Sequence, residues 1–190
     1  MGSAMIVLIF VVLIGIVFAI LSVNIYNGLV ALNAQIDRAW ANIDVILKQR
    51  FDEIPQLIQV IEQYAGYEQK TLQKIIEARN NYGKAQDINQ KIQASNSLSS
   101  ALGGIVALGE AYPDLKANQS FLQLQGRVSS LENQIADRRE IFNEAVTNFN
   151  TRIQQFPDSI FAGILKYVPK NLYRPPANET AMPNLKMNIG

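Results

Sequence analysis

Between Met5 and Val23 the chain runs nineteen residues without a charge, MIVLIFVVLIGIVFAILSV, and only Gly15 and Ser22 interrupt the aliphatic and aromatic side chains. As a helix this stretch is about 28 Å long, close to the ~30 Å hydrocarbon thickness of a bilayer. Lipid offers no partners to open backbone groups, so a single spanning segment has to be helical. A cleaved signal peptide is one alternative and a buried core helix another. Signal peptides carry a basic start, a short apolar region and small residues before the cut. Here no Lys or Arg precedes the run, the run is too long, and Phe18-Ala19-Ile20-Leu21 has no A-x-A pattern. Residues 1–23 therefore read as a retained single-pass anchor in the cell membrane, with Met5, Phe10, Val17 and Val23 along its length and the lipid bilayer as partner. All 17 Lys and Arg follow it, which leans the remainder toward the cytoplasm, although Arg38 is already 15 residues past Val23.

Composition narrows the rest. With 17 basic and 16 acidic residues the net charge is +1, so no nucleic-acid footprint is expected. Charged residues make up 17% of the chain, below the ~25% of average proteins, and Asn and Gln fill much of the gap. A near-neutral, amide-rich surface has little repulsion to keep copies apart, and a homo-oligomer is expected. The chain has no Cys and no His. That removes thiolate nucleophiles, histidine triads and the common zinc and haem sites. The expectation is a protein without catalytic, cofactor-binding or metal-binding residues; a carboxylate pair in a cleft is the residual enzymatic route.

From Asn24 a seven-residue beat begins. Leu29, Ile36 and Ile43 form one row and Trp40, Leu47 and Ile54 its neighbour, the spacing of a bundle or coiled coil. Only Gly28 weakens a helix between Val23 and Leu29, so the membrane helix is expected to continue into the domain. Pro55 suits the first turn of a new helix and disrupts a helix interior. A tight turn at Arg50–Pro55 is the first expectation and a kinked continuous helix the other. The next helix spans about Glu53–Tyr82. In its rows Glu68 and Arg79 occupy apolar positions, either on a solvated edge or in a buried polar layer that fixes register; Arg50, Glu68, Arg79, Arg138 and Arg139 are the candidates for that layer.

A loop at Gly83–Asp87 follows, with Asp87 as a helix cap. The third helix, to about Gly109, is weak, because Gly103-Gly104 and four serines disfavour it; its small residues suit either close packing or mobility. Tyr112-Pro113-Asp114-Leu115-Lys116-Ala117-Asn118 breaks and restarts the chain. In the fourth helix Phe121, Val128, Ile135, Phe142, Phe149 and Phe156 recur every seven residues, and Leu124, Leu131, Arg138 and Ala145 form a second row. Such rows are core rather than cofactor box. Past Pro157, Ser159–Tyr167 reads as one short amphipathic turn against the bundle or the membrane surface. From Pro169 an extended tail is expected, with alternating Leu185, Met187 and Ile189 as a docking strand or a disordered end. The domain plan is thus 1–23 anchor, 24–157 helical bundle, 158–190 short amphipathic segment and tail.

Particular residues in this order resemble the LemA family of membrane proteins. They are Tyr26-Asn27-x-Leu29-Val30, Ala39-Trp40-x-x-Ile43-Asp44-Val45-x-Leu47-Lys48-x-Arg50, Ile54-Pro55-x-Leu57 and Tyr64-Ala65-x-x-Glu68. Ala78-Arg79, Tyr112–Asn118 with Phe121, Glu132-Asn133, Arg139, Asn143, Val146 and Asn150 complete the set. The resemblance covers about residues 20–157. Tyr67 stands where relatives often have His, and Phe142 where they have Tyr. It implies an all-α fold: an N-terminal membrane helix continuing into an antiparallel four-helix bundle, with a turn near Pro55. In that setting Trp40 reads as a core anchor, Pro55 and Pro113 as helix starts, and Arg50, Lys116 and Arg139 as polar contacts. It implies no established enzymatic activity; some relatives are linked to magnetosome membranes and some are encoded beside a membrane metalloprotease. Two roles follow as expectations: a self-associating membrane scaffold, or an adaptor presenting its bundle to another membrane protein such as that protease.

Overall fold

The computed structural model describes residues 2–64 and 69–175. It is all-α, with no strand among the described residues. Helix α1 runs Gly2–Tyr64, α2 Gln69–Lys84, α3 Ile88–Leu102, α4 Gly104–Ala111, α5 Pro113–Ala117, α6 Gln119–Arg152 and α7 Asp158–Ile164. Two compact units share them. One takes in the chain to Ala41 together with Glu140–Leu172; the other takes in Asn42–Arg139 and the chain from Tyr173.

In the first unit the opening residues of α1 form a helix long and apolar enough to cross a membrane, its most apolar stretch uncovered by the other described residues. Met5, Phe10, Val17 and Val23 are all exposed. Core positions start two residues later, at Ile25, and continue through Leu29, Ile36, Ala39 and Trp40. Across from them α6 contributes Phe142, Ala145, Val146 and Phe149. Trp40 meets Phe142 edge to face, with ring centroids 5.7 Å apart. A methyl built on Gly28 would stand 3.6 Å from the Arg152 guanidinium. Moving back along α1 from Trp40 to Gly28 thus matches moving forward along α6 from Phe142 to Arg152, so the two run antiparallel. Phe156, expected in the core, is 82% exposed. Helix α6 ends at Arg152, so the seven-residue phase no longer applies, and Ile153 is the buried residue instead. Helix α7 closes in a Schellman arrangement, with Lys166 at φ 56° and the Tyr167 amide donating to Ala162 O at 2.9 Å.

In the second unit Ile54, Leu57 and Ile61 of α1 pack with Leu72, Ile75 and Ala78 of α2, Leu98 and Leu102 of α3, Leu115 of α5, and Phe121 and Val128 of α6. Asp87 caps α3 by accepting from the Gln90 amide at 2.9 Å, and Asn118 caps α6 by accepting from Phe121 N at 2.9 Å. Leu115 is fully buried between two helix ends. The weak glycine region turns out to be closely packed: a Cβ on Gly104 would lie 3.2 Å from Thr71 Cγ2, and one on Gly109 3.2 Å from the Phe121 ring.

The expected turn at Pro55 is absent, and α1 continues through it to Tyr64, as in the second expectation of a continuous helix. An interior proline costs about 3 kcal/mol or more, through a lost N–H and a clash with the preceding turn. Three side chains here, Ile54, Leu57 and Ile61, are fully buried, at about 1.5–3 kcal/mol each, and together they outweigh it. The carbonyl that Pro55 cannot serve belongs to Phe51, four residues back. Arg79 of α2 serves it instead: its Nε donates to Phe51 O at 3.2 Å, and its guanidinium carbon lies 4.0 Å from the Phe51 ring centroid. Arg79 is therefore a substitute donor for the proline. Arg79→Met is expected to cost about 1–2 kcal/mol by leaving that carbonyl unpaired, and less in a Pro55→Ala background where the backbone N–H returns. Urea unfolding of the four proteins measures the coupling; strictly additive costs would remove the assignment.

Candidate functional site

The polar centre of the second unit is Arg50. Its side chain is 0% exposed on the inward face of α1. A buried guanidinium needs nearly all of its donors engaged. Nη1 donates to Ser99 Oγ at 2.8 Å and to the Glu132 carboxylate. Nη2 donates to Ser95 Oγ at 2.7 Å and to Ser95 O at 3.2 Å. Nε has no partner. Ser95 and Ser99 are four apart on α3 and so share a face. Ser99 also donates to Glu132 Oε2 at 3.0 Å, which joins α1, α3 and α6 through one carboxylate.

The chain after α7 completes the network. Tyr173, 1% exposed, donates its hydroxyl to Ser95 Oγ at 2.7 Å, while Asn96 Nδ2 donates to Arg174 O at 2.9 Å. The Arg139 guanidinium carbon lies 5.8 Å from the Tyr173 ring centroid. Burial pushes the Tyr173 hydroxyl above its ordinary titration range, opposed by its bond to Ser95 and by Arg50. Asn96, Ser99, Glu132, Asn133, Arg139 and Tyr173 line a cavity of about 150 Å³, the volume of about five waters. A second polar set lies nearby on α1, α2 and α3. Asp44 accepts from Lys91 at 2.6 Å, and burial first, then Asp44, pushes the Tyr82 hydroxyl up.

Of the expected polar layer, the structure brings Arg50, Arg79 and Arg139 into the second unit's tertiary contacts. Arg138 is exposed: its row turns outward at that point of α6, where Leu131 and Ile135 hold the buried face. Lys116 is exposed as well, and only its backbone takes part, donating to Tyr112 O at 3.0 Å. Glu68 lies outside the described residues, as does the segment Leu185–Ile189. Leu29, Ile36, Trp40, Ile43, Leu47, Phe121, Val128, Ile135, Phe142 and Phe149 are all buried. Tyr173 gave no signal, since it sits in an aperiodic stretch between prolines. Ser95 and Ser99 did give one: two hydroxyls four residues apart on an otherwise apolar face. Chemically the set offers hydrogen bonds and charge, and its tyrosines hold their protons.

The LemA family profile matches residues 39–187, most of the chain and including Tyr173. The chain belongs to the LemA family. It is 28% identical over 150 residues to Protein LemA of Metamycoplasma hominis, covering 74% of this chain and 68% of that one. Magnetosome proteins MamQ 1 and MamQ 2 of Paramagnetospirillum magneticum are each 27% identical over 88 residues, 46% of this chain and 32% of theirs. The aligned part is thus about a third of the length of those two relatives. Arg50, Glu132, Arg139 and Tyr173 of this LemA-family chain all fall within the matched span.

Removing one member of a buried ion pair costs about 3–5 kcal/mol when the other stays buried and charged. Glu132→Ala is expected to fall in that range, and Arg50→Met to cost less, because Glu132 is 28% exposed and can turn to water. Urea midpoints give the order, and a larger loss for Arg50→Met would refute it. Tyr82 and Tyr173 give an alkaline limit. Unfolded tyrosines titrate near pH 10 and the folded ones higher, so their contribution is full below about pH 10 and lost as pH rises beyond it. Tyr82→Phe should flatten that decline in urea titrations from about pH 9 to about pH 11; an unchanged slope would contradict it.

Proposed function

We propose that this chain is a membrane-anchored helical scaffold without enzymatic activity, held in the cell membrane by residues 5–23 and self-associating there, with its helical part on the cytoplasmic side. The observation that carries the reading is the course of α1. Its exposed apolar run passes into the core positions Ile25 and Leu29 within one uninterrupted helix. A tether of flexible residues would let a domain wander from the bilayer; a helical junction holds the first unit beside it.

Two further features support self-association. The net charge of +1 leaves weak repulsion between copies. Relatives named as magnetosome proteins support a role in an assembled cellular body over turnover of a small substrate. The polar network around Arg50 fits the same role, as a device that sets which helices meet.

Chemical cross-linking of the full chain in native membranes and in mild detergent tests this. Oligomers that persist on dilution are expected, and removal of residues 1–23 then separates assembly by the anchor from assembly by the bundle. Monomers throughout would overturn the scaffold reading, and recovery of a stoichiometric second protein without self-association would replace it with the adaptor.

A further inference from the structure

The first unit carries an apolar face that none of the described residues covers. Phe156 is 82% exposed, Ile160 55% and Ile164 73%. The last two are four apart and so share one side of α7, with Phe156 four residues before Ile160 in the preceding turn. The opposite side of α7 is held down: Ala162 is buried, and Asp158 is buried and ion-paired with Arg152. Large apolar side chains grouped on a fixed helix mark a contact surface.

Its position says what the contact is. Arg152, the last residue of α6, faces Gly28 of α1. Gly28 is five residues beyond Val23, or about 7.5 Å along the helix. The polar headgroup zone on each side of the ~30 Å hydrocarbon is about 5–7 Å deep. The turn into α7 therefore lies at the level where α1 leaves the apolar run, near the height of the exposed Tyr26 along α1, an aromatic of the kind that settles at membrane interfaces. Charge agrees. Between residues 153 and 170 the charged residues are Asp158, Lys166 and Lys170; the acid is neutralised by Arg152, and Lys166 is exposed.

We propose that α7 and the turn before it form a second membrane contact, a short interfacial helix with Phe156, Ile160 and Ile164 resting among the lipid headgroups of the leaflet that α1 leaves. This rests on residues 5–23 crossing the bilayer. The partner is the lipid surface itself: the face lies at the level where the exposed apolar run of α1 ends, and an interfacial helix buries its apolar side about 5–10 Å into the headgroup boundary.

The chain has no Cys, so single cysteines report without background. Nitroxide labels at Ile160→Cys and Ile164→Cys are placed in the full chain in phosphatidylcholine–phosphatidylglycerol vesicles. References are Val12→Cys in the apolar run and Lys84→Cys at an exposed helix end. Power saturation compares relaxation by oxygen, which concentrates in lipid, with relaxation by a water-soluble nickel chelate. The labels at 160 and 164 are expected to favour oxygen severalfold more than the label at 84 and less than the label at 12. Labels at 160 and 164 that behave like the label at 84, with the label at 12 in lipid, overturn the second contact and leave the anchor standing. All labels behaving like the one at 84 overturns both. Spin–spin broadening at 160 and 164 that disappears on dilution with unlabelled chain, without oxygen preference, means a second copy covers the face, and the lipid contact is overturned.

Discussion

A guanidinium taken wholly out of water dictates what surrounds it. Arg50 projects from α1 into the second unit, and its partners come from every direction: two serines of α3, a carboxylate of α6 and, one bond further, a tyrosine from the chain after α7. Apolar rows alone tolerate sliding, because one Leu or Ile contact resembles the next. This network does not. A shift of α3 by one residue would rotate Ser95 and Ser99 away together and leave charge without donors or acceptors, at a cost of several kcal/mol. Specificity of helix pairing in the second unit thus rests on a few polar atoms set in an apolar core.

The same exchange of roles occurs at Pro55. A proline in mid-helix removes a donor, and the fold answers from a different helix, through Arg79. Burial of Ile54, Leu57 and Ile61 supplies the reason for the helix to persist, and Arg79 removes the unsatisfied carbonyl that would otherwise weaken it there. Both arginines act by completing another group's hydrogen bonding, and the planar guanidinium, with donors spread around its fork, is suited to that in a way an ammonium is not.

Periodicity was the readable part of the chain. The rows from Leu29 to Leu47 and from Phe121 to Phe149 are visible at seven-residue spacing, and the cap at Asp87 is visible too, because each rests on local chemistry. Pro55 misled for the same reason: local rules make proline a helix start, and only the packing of α2 against α1 overrides them. Phe156 fits the row by spacing and fails it by structure, since a heptad has meaning only while the helix lasts. Within the polar site, Arg50 and Arg139 were legible as polar contacts through the family resemblance. Their partners were not, because Tyr173 comes from an aperiodic segment and is brought to Ser95 by tertiary contacts across 78 residues of chain.

That α1 is completed by a residue outside itself has a consequence for how the molecule is made. The ribosome adds Arg79 twenty-four residues after Pro55, when the apolar run has long since emerged. Until then the Phe51 carbonyl lacks the donor that it has in the folded chain. The hydrogen bonding of α1 at Phe51 is thus finished only when α2 is in place against it.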